Sequence, residues 1–217
     1  MEKFIYNPPA GIPDILYQDN DIVVINKASG LLSNPGRAQE THDCALSRLK
    51  TRVPSIILVH RLDCETSGVM VFALHKAAEV HLKKQFEART TGKSYLAEIC
   101  GKPSQQTGSL NWPLAPDRNN VPKQKVSEDG KAAVTHFEVL IHKTDSTVVL
   151  LKPETGRTHQ LRVHMHHWGH TILGDNFYAS PAIKAMSNRL RLHAYSLGFT
   201  HPGTDEFVEF KIAADFL

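Results

Sequence analysis

The run His60-Arg61-Leu62-Asp63-Cys64-Glu65-Thr66-Ser67-Gly68 sets an arginine and a carboxylate between two apolar stretches, Ile56-Ile57-Leu58-Val59 before it and Val69-Met70-Val71-Phe72-Ala73-Leu74 after it. Apolar runs of this length, rich in β-branched residues, read as buried strands, and burying Asp63 without a partner is costly. Asp63 is therefore either paired or used. Downstream, the segment from Lys152 through Thr155-Gly156-Arg157-Thr158-His159-Gln160-Leu161-Arg162 to His164 reads as a glycine turn leading into a helix. Arg162 facing Asp63 would keep that carboxylate ionised, because the paired positive charge opposes desolvation. Tyr95 adds a phenol. Together these groups can do acid–base or nucleophilic chemistry; taken singly they fit a buried structural ion pair and a core tyrosine better.

The elements that must position these groups follow from periodicity. Asp21-Ile22-Val23-Val24-Ile25-Asn26-Lys27 reads as a strand broken by Ala28-Ser29-Gly30, so Asn26-Lys27 sits at a strand end. A short helix is expected over 42–52, presenting Leu46 and Leu49 and stopped by Pro54. Ala78, Leu82 and Phe86 recur at helical spacing between Lys76 and Arg89 above a lysine-rich outer face. Tyr95, Ala97 and Ile99 alternate on one side of a strand over 93–99, whereas 103–129 reads as a long loop around Leu110-Asn111-Trp112-Pro113-Leu114. Strands resume over 133–141 and 147–151. Thr158 is expected to cap a helix carrying Leu161, Met165 and Trp168 and ending at Gly169; Ser180-Pro181 starts another. Strands over 189–197 and 206–212 finish the chain. This order argues an α+β fold, a single domain over 1–217 built on a mixed, largely antiparallel sheet with flanking helices.

Composition narrows the setting. The chain has 217 residues, is 41% hydrophobic and carries a formal net charge of +3, only mildly basic. The excess is local, at Lys83, Lys84, Arg89 and Lys93 and again from Lys152 to Arg191, which suits a phosphate backbone or a solvated helix face. Three separated cysteines, Cys44, Cys64 and Cys100, suggest neither a disulfide framework nor a zinc site and fit a reducing, cytoplasmic compartment. No apolar run approaches the ~20 residues that span a bilayer, and residues 1–9 hold no signal-peptide core, so no membrane association is expected. His159, His164, His166, His167 and His170 lack a His-Glu-x-x-His spacing, a neighbouring cysteine or a carboxylate cluster; they read as helix-surface or RNA-facing groups, with no metal.

The pattern His60-Arg61-Leu62-Asp63-x-x-Thr66-Ser67-Gly68 resembles the catalytic signature of the RluA-type RNA pseudouridine synthases. Nearly the whole chain is similar to that family, from Leu16-Tyr17-Gln18-Asp19-Asn20-Asp21 and Asn26-Lys27 to Thr155–Arg162 and Ile172-Leu173-Gly174-Asp175. The family usually has proline after Asn-Lys where this chain has Ala28, a departure that touches turn rigidity and not the chemistry. The resemblance implies that uridine in RNA is isomerised to pseudouridine without cofactor or metal. Asp63 would be the catalytic aspartate, acting as nucleophile or as base; Tyr95 would lie against the target base; Arg162 would be the basic partner of Asp63. Arg61 would enter the stack that the uridine leaves, with His60, Arg157, His159 and Gln160 as further RNA-binding residues. No separate N-terminal RNA-binding domain and no obligate protein partner are expected. Tyr6-Asn7-Pro8-Pro9, the 121–126 run and Phe177-Tyr178-Ala179-Ser180-Pro181 look most like the family's dual-specificity branch. Its substrates would be a hairpin of large-subunit ribosomal RNA and the anticodon stem-loop of transfer RNAs.

Overall fold

The computed structural model describes residues 5–217, so the first four residues of the N-terminal reading lie outside the described residues. From the N-terminus run β1 (Asp14–Gln18), β2 (Ile22–Lys27), α1 (Ala45–Lys50), β3 (Ile57–Leu58), β4 (Ser67–Ala73) and α2 (Lys76–Ala88). There follow β5 (Gly92–Cys100), β6 (Thr107–Leu110), β7 (Leu114–Pro116), β8 (Gln124–Val126), β9 (Thr135–His142) and β10 (Ser146–Pro153). The chain closes with α3 (Gln160–His167), α4 (Pro181–Ala185), β11 (Leu192–Thr200) and β12 (Phe207–Lys211). Two compact units result. One holds the described residues up to Gly92 with Ala194–Ile212, and the other holds Lys93–His193 with Ala213–Leu217.

In the first unit the strand order is β1-β2-β4-β11, with β3 also on β4 and β12 on β11. β1–β2, β2–β4, β3–β4 and β11–β12 are antiparallel. All seven residues of β4 are buried, which is why its sequence is continuously apolar rather than alternating. Gly68, at its start, has φ +115°, and a Cβ there would collide with the main chain of Ala194, so only glycine fits. Ala78 and Leu82 of α2 are buried against Val69, Val71, Leu197 and Phe199, with Phe86 beside them. The His75 ring caps α2 by accepting the Ala78 N–H at 3.2 Å.

The second unit is ordered β5-β10-β9-β6, and β7 with β8 forms a separate hairpin. Ala97, Ile99, Val149, Leu151 and Phe137 from the sheet meet Leu161 and Met165 of α3, with Trp168 packed alongside. Gly169 takes φ +90° just past α3, and Ser180 Oγ caps α4 with Pro181 at the first helical position, both as the sequence suggests.

Three expectations are corrected. The helix of 42–52 is shorter, because Cys44 and Ser47 form a capping box that starts it at Ala45. The 103–129 stretch is not a plain loop but contains β6, β7 and β8, strands of three or four residues held by pairing and too short to show alternation. Thr158 does not cap α3; it is exposed, and His159 occupies the N-cap at φ 54° with no side-chain cap bond.

Candidate active site

Asp63 stands in the loop between β3 and β4, half-buried, with Arg61 exposed two residues before it. The loop is fastened through its carbonyls. Ser33 Oγ donates to Leu62 O at 2.8 Å and accepts the Leu62 N–H at 3.1 Å. Ser29 Oγ donates to Glu65 O at 2.6 Å, the Thr66 N–H reaches Asp63 O at 3.1 Å, and the Gly30 N–H reaches Cys64 O at 3.0 Å. Lys27 completes the clamp. Its ammonium, 0% exposed, donates to Ala28 O at 2.9 Å, Leu31 O at 2.6 Å and Cys64 O at 2.9 Å. Burial lowers its pKa from 10.5 to about 8, partly opposed by the negative fields of Cys64, Glu65 and Asp63. Three acceptors for three N–H donors make this buried cation tolerable without a carboxylate partner. Its position at the end of the apolar β2 was the legible signal: an amine there needs a reason. His60 accepts the Val71 N–H on Nε2 at 3.1 Å and stacks on Phe86 at 4.5 Å between ring centroids.

The other expected residues belong to the second unit. Tyr95, on β5, is half-buried against the Ala97, Ile99 and Leu151 core. The turn from β10 into α3 is built around a buried amide. Gln160 Oε1 accepts from Thr155 Oγ1 at 2.7 Å and from the Arg157 N–H at 3.0 Å, while Nε2 donates to Val134 O at 2.9 Å and Thr135 Oγ1 at 3.0 Å. Every donor and acceptor of that amide is engaged inside the unit, so Gln160 shapes the turn and has no hydrogen-bonding capacity to spare for RNA. Thr155 Oγ1 in turn accepts the Val134 N–H at 3.0 Å, and the half-buried Arg157 holds Ala132 O through Nε at 3.1 Å. This network, rather than a Thr158 cap, sets where α3 begins. His159, at its N-cap, is 9% exposed.

Arg162 is 1% exposed and forms a bidentate pair with Asp175, Nε to Oδ2 at 2.8 Å and Nη2 to Oδ1 at 2.6 Å. Nη2 also reaches Asn176 Oδ1 at 3.0 Å. Burial would push the Asp175 carboxyl up, but the hydrogen bonds and charge of Arg162, with the Phe177 and Tyr178 N–H groups, outweigh it and hold the carboxyl below its ordinary value. Asp175 as a partner of Arg162 was missed from sequence, although it too is a carboxylate beside the apolar Ile172-Leu173.

The histidines of α3 are not all on its surface. His164 is fully buried, its Nδ1 3.0 Å from Thr135 Oγ1 and its Nε2 3.0 Å from Trp112 O, and burial first of all lowers its pKa. Several cations of the basic excess already have acids: Lys83 has Glu79, and Arg189 and Arg191 have Asp215. Among the described residues one group has metal-like spacing, Asp19, Asp21 and His201 in the first unit, with ligand atoms within 4.8 Å of one another. Its chemistry does not suit a metal. His201 Nδ1 accepts the Gly203 and Thr204 N–H groups, so the ring proton is on Nε2, 2.8 Å from Asp19 Oδ2, and no lone pair faces the carboxylates.

Residues 21–167 match the family model described as RNA pseudouridylate synthase. The dual-specificity RNA pseudouridine synthase RluA of Escherichia coli (strain K12) is 53% identical over 215 residues, covering 97% of this chain and 98% of that protein. The protein of the same name from Vibrio parahaemolyticus is 48% identical, covering 100% of this chain and 89% of its own. Among solved structures, human RNA pseudouridylate synthase domain containing 1 superposes with a TM-score of 0.83 at 29% identity, covering 97% of this chain and 88% of that one.

Proposed function

This chain belongs to the RNA pseudouridylate synthase family, and from that premise we propose that it isomerises uridines in a ribosomal RNA hairpin and in transfer RNA anticodon arms, with Asp63 as the catalytic group. Near-complete coverage of dual-specificity relatives at about half identity carries the substrate reading. The chemistry is an internal exchange. The C1′–N1 bond breaks, the uracil turns, C5 bonds to C1′, C5 gives up its proton and N1 takes one, so no electron leaves or enters and no cofactor is called for.

The Asp63 carboxylate acts at the ribose, as nucleophile or base. The clamp on the carbonyls of residues 62–65 supports this reading, because it fixes the main chain and leaves the Asp63 side chain out of the brace. Tyr95 lies against the base, Arg162 braces the head of α3 through its pair with Asp175, and Arg61 fills the gap in the stack. His60, Arg157 and His159 serve RNA binding, and the buried Gln160 serves it by shaping the turn. Flipping a loop uridine costs least where bases are already partly unstacked, which favours stem-loops over duplex. The protein works in the cytoplasm, in keeping with three cysteines, Cys44, Cys64 and Cys100, that lie far apart in the sequence and form no disulfide framework.

The test is pseudouridine yield on three RNAs at low and moderate salt: full-length transfer RNA, an isolated anticodon-arm hairpin, and the same uridine locked in a continuous duplex. The hairpin should react nearly as well as the full-length RNA and the duplex poorly, with affinity falling steeply with salt as neutralised phosphates release counterions. A strict need for intact ribosomal particles would refute the reading.

A further inference from the structure

The segment Tyr6-Asn7-Pro8-Pro9 precedes every strand of the fold, yet it is tied to the residues on which the Asp63 loop rests. Tyr6 is half-buried, and its hydroxyl donates to Asp43 O at 2.7 Å and accepts the Leu32 N–H at 3.0 Å. Both partners are main-chain groups, a carbonyl that only accepts and an amide that only donates, so the direction of each bond is fixed. Arg48 of α1 secures the same segment further along. Its guanidinium pairs with both oxygens of Asp43 at 2.6 and 2.7 Å, and Nη1 donates to Pro9 O and Gly11 O, each at 2.6 Å. Pro9 also lies against Gly30, its Cδ 3.5 Å from where a Cβ would stand. Two successive prolines stiffen the segment, so ordering it costs less entropy.

What the segment holds is the stretch 28–33. The Ala45 and Leu46 N–H groups at the head of α1 donate to Leu32 O at 2.8 Å and Ser33 O at 3.2 Å, so residues 32 and 33 are gripped between α1 and Tyr6. From there Ser33, 2% exposed, turns its hydroxyl to Leu62 and engages both its carbonyl and its N–H. The Leu62 carbonyl and the Asp63 nitrogen share one rigid peptide plane, and the next plane is held by the Thr66 N–H on Asp63 O. With both planes held, the direction of the Asp63 Cα–Cβ bond is set. A shift of Ser33 therefore re-aims the carboxylate, and small errors of aim at a reacting group are costly in rate.

We propose that Tyr6 is a positioning residue for catalysis: its hydroxyl holds residues 32 and 43 together and, through Ser33, sets the aim of Asp63. The inference rests on reading Asp63 as the catalytic group of an RNA pseudouridine synthase, and it extends that reading to an N-terminal segment outside the catalytic signature.

The test uses Tyr6→Phe in the full-length chain, which keeps the ring and removes the hydroxyl, together with Ser33→Ala and the double variant. Steady-state kinetics on an anticodon-arm hairpin are read beside hydrogen exchange at the Leu32 and Leu62 amides and along β4. In Tyr6→Phe the Leu32 amide should exchange about tenfold faster, since its partner is gone. The Leu62 amide, which Tyr6 does not bond, should follow it, while the amides of β4 keep their wild-type protection; a general loss of stability would speed all of them alike. Below the melting transition kcat should fall about fivefold, the worth of one ordinary hydrogen bond, with KM within about twofold of wild type. Ser33→Ala should cost kcat about tenfold, and the double variant little more, because Tyr6 acts through Ser33. A kcat that holds in Tyr6→Phe overturns the proposal, as does a rise in KM without a fall in kcat, an unchanged Leu62 amide, or losses that multiply in the double variant. Wild-type protein inactive on every RNA tried would instead overturn the functional reading, while the exchange measurements would still decide whether Tyr6 holds the loop.

Discussion

The Asp63 loop and the turn at the head of α3 are both polar segments set against apolar strands, yet they are immobilised by different means. The loop is held through its own carbonyls by a buried cation, Lys27, and by the hydroxyls of Ser29 and Ser33. The turn is held by side chains that hold one another, the Gln160–Thr155 amide–hydroxyl network and, two residues on, the Arg162–Asp175 ion pair. A main-chain clamp leaves the Asp63 side chain available for chemistry. A side-chain brace consumes the residues it is made of. The loop should therefore tolerate loss of its functional side chain without unfolding, and the α3 region should not.

Asp63→Asn gives the largest expected effect on activity. Pseudouridine formation should fall by roughly 10⁴-fold or more, as when a catalytic group is deleted, with the melting temperature nearly unchanged. Turnover within tenfold of wild type would remove Asp63 from its assigned role, and a large drop in melting temperature would show that the side chain is part of the brace after all.

Arg162→Met should be the most damaging change to stability, about 3–5 kcal/mol, because it leaves the fully buried Asp175 carboxylate unpaired. Denaturant unfolding at several pH values sharpens the point. In the wild type the depressed carboxyl contributes stability that is fully present above the unfolded value and is lost as pH falls through the folded one. In the variant only the Phe177 and Tyr178 N–H groups oppose burial, the folded carboxyl rises from its wild-type value, and the loss of stability on acidification should shrink. An unchanged melting temperature would contradict the brace.

Lys27→Met should cost less, about 3 kcal/mol, since it orphans Ala28 O and Leu31 O while Cys64 O keeps the Gly30 N–H. Activity below the melting transition should stay within about tenfold, because Ser29, Ser33 and Thr66 still hold the loop. The wild type should also become more stable between pH 8 and 10.5, where the unfolded chain retains a proton that the folded lysine has released. That rise should vanish in the variant. Thr155→Ala should be the mildest, about 1–2 kcal/mol, from the orphaned Val134 N–H and the weakened hold on Gln160. A loss larger than that of Arg162→Met would invert the ranking of amide network and ion pair.

Where apolar residues decide the structure, the sequence was readable: β2, β4, α2 and the core face of α3 follow from runs and helical spacing. Readability failed where hydrogen bonds decide. Cys44 is an unusual cap, so the true start of α1 was not visible, and β6 to β8 bury too few alternate residues to show a period. At the candidate site, Asp63 and Arg162 stand out as charges beside apolar runs, but their proposed roles, like that of Tyr95, rest on the resemblance to the family and not on spacing. Their neighbours could not be assigned, because Asp175 lies 13 residues from Arg162 and reaches it only through the fold. Gln160 has the composition of an RNA contact and the environment of a core residue, a distinction that only burial supplies.

The central claim, that this chain makes pseudouridine through Asp63, is tested most directly by mapping pseudouridine at single-nucleotide resolution in the ribosomal and transfer RNA of a strain lacking it. The account predicts loss of modification at a ribosomal RNA hairpin uridine and in anticodon arms, restored by the wild-type chain and not by Asp63→Asn. Modification that persists without the chain, or that Asp63→Asn restores, would contradict it.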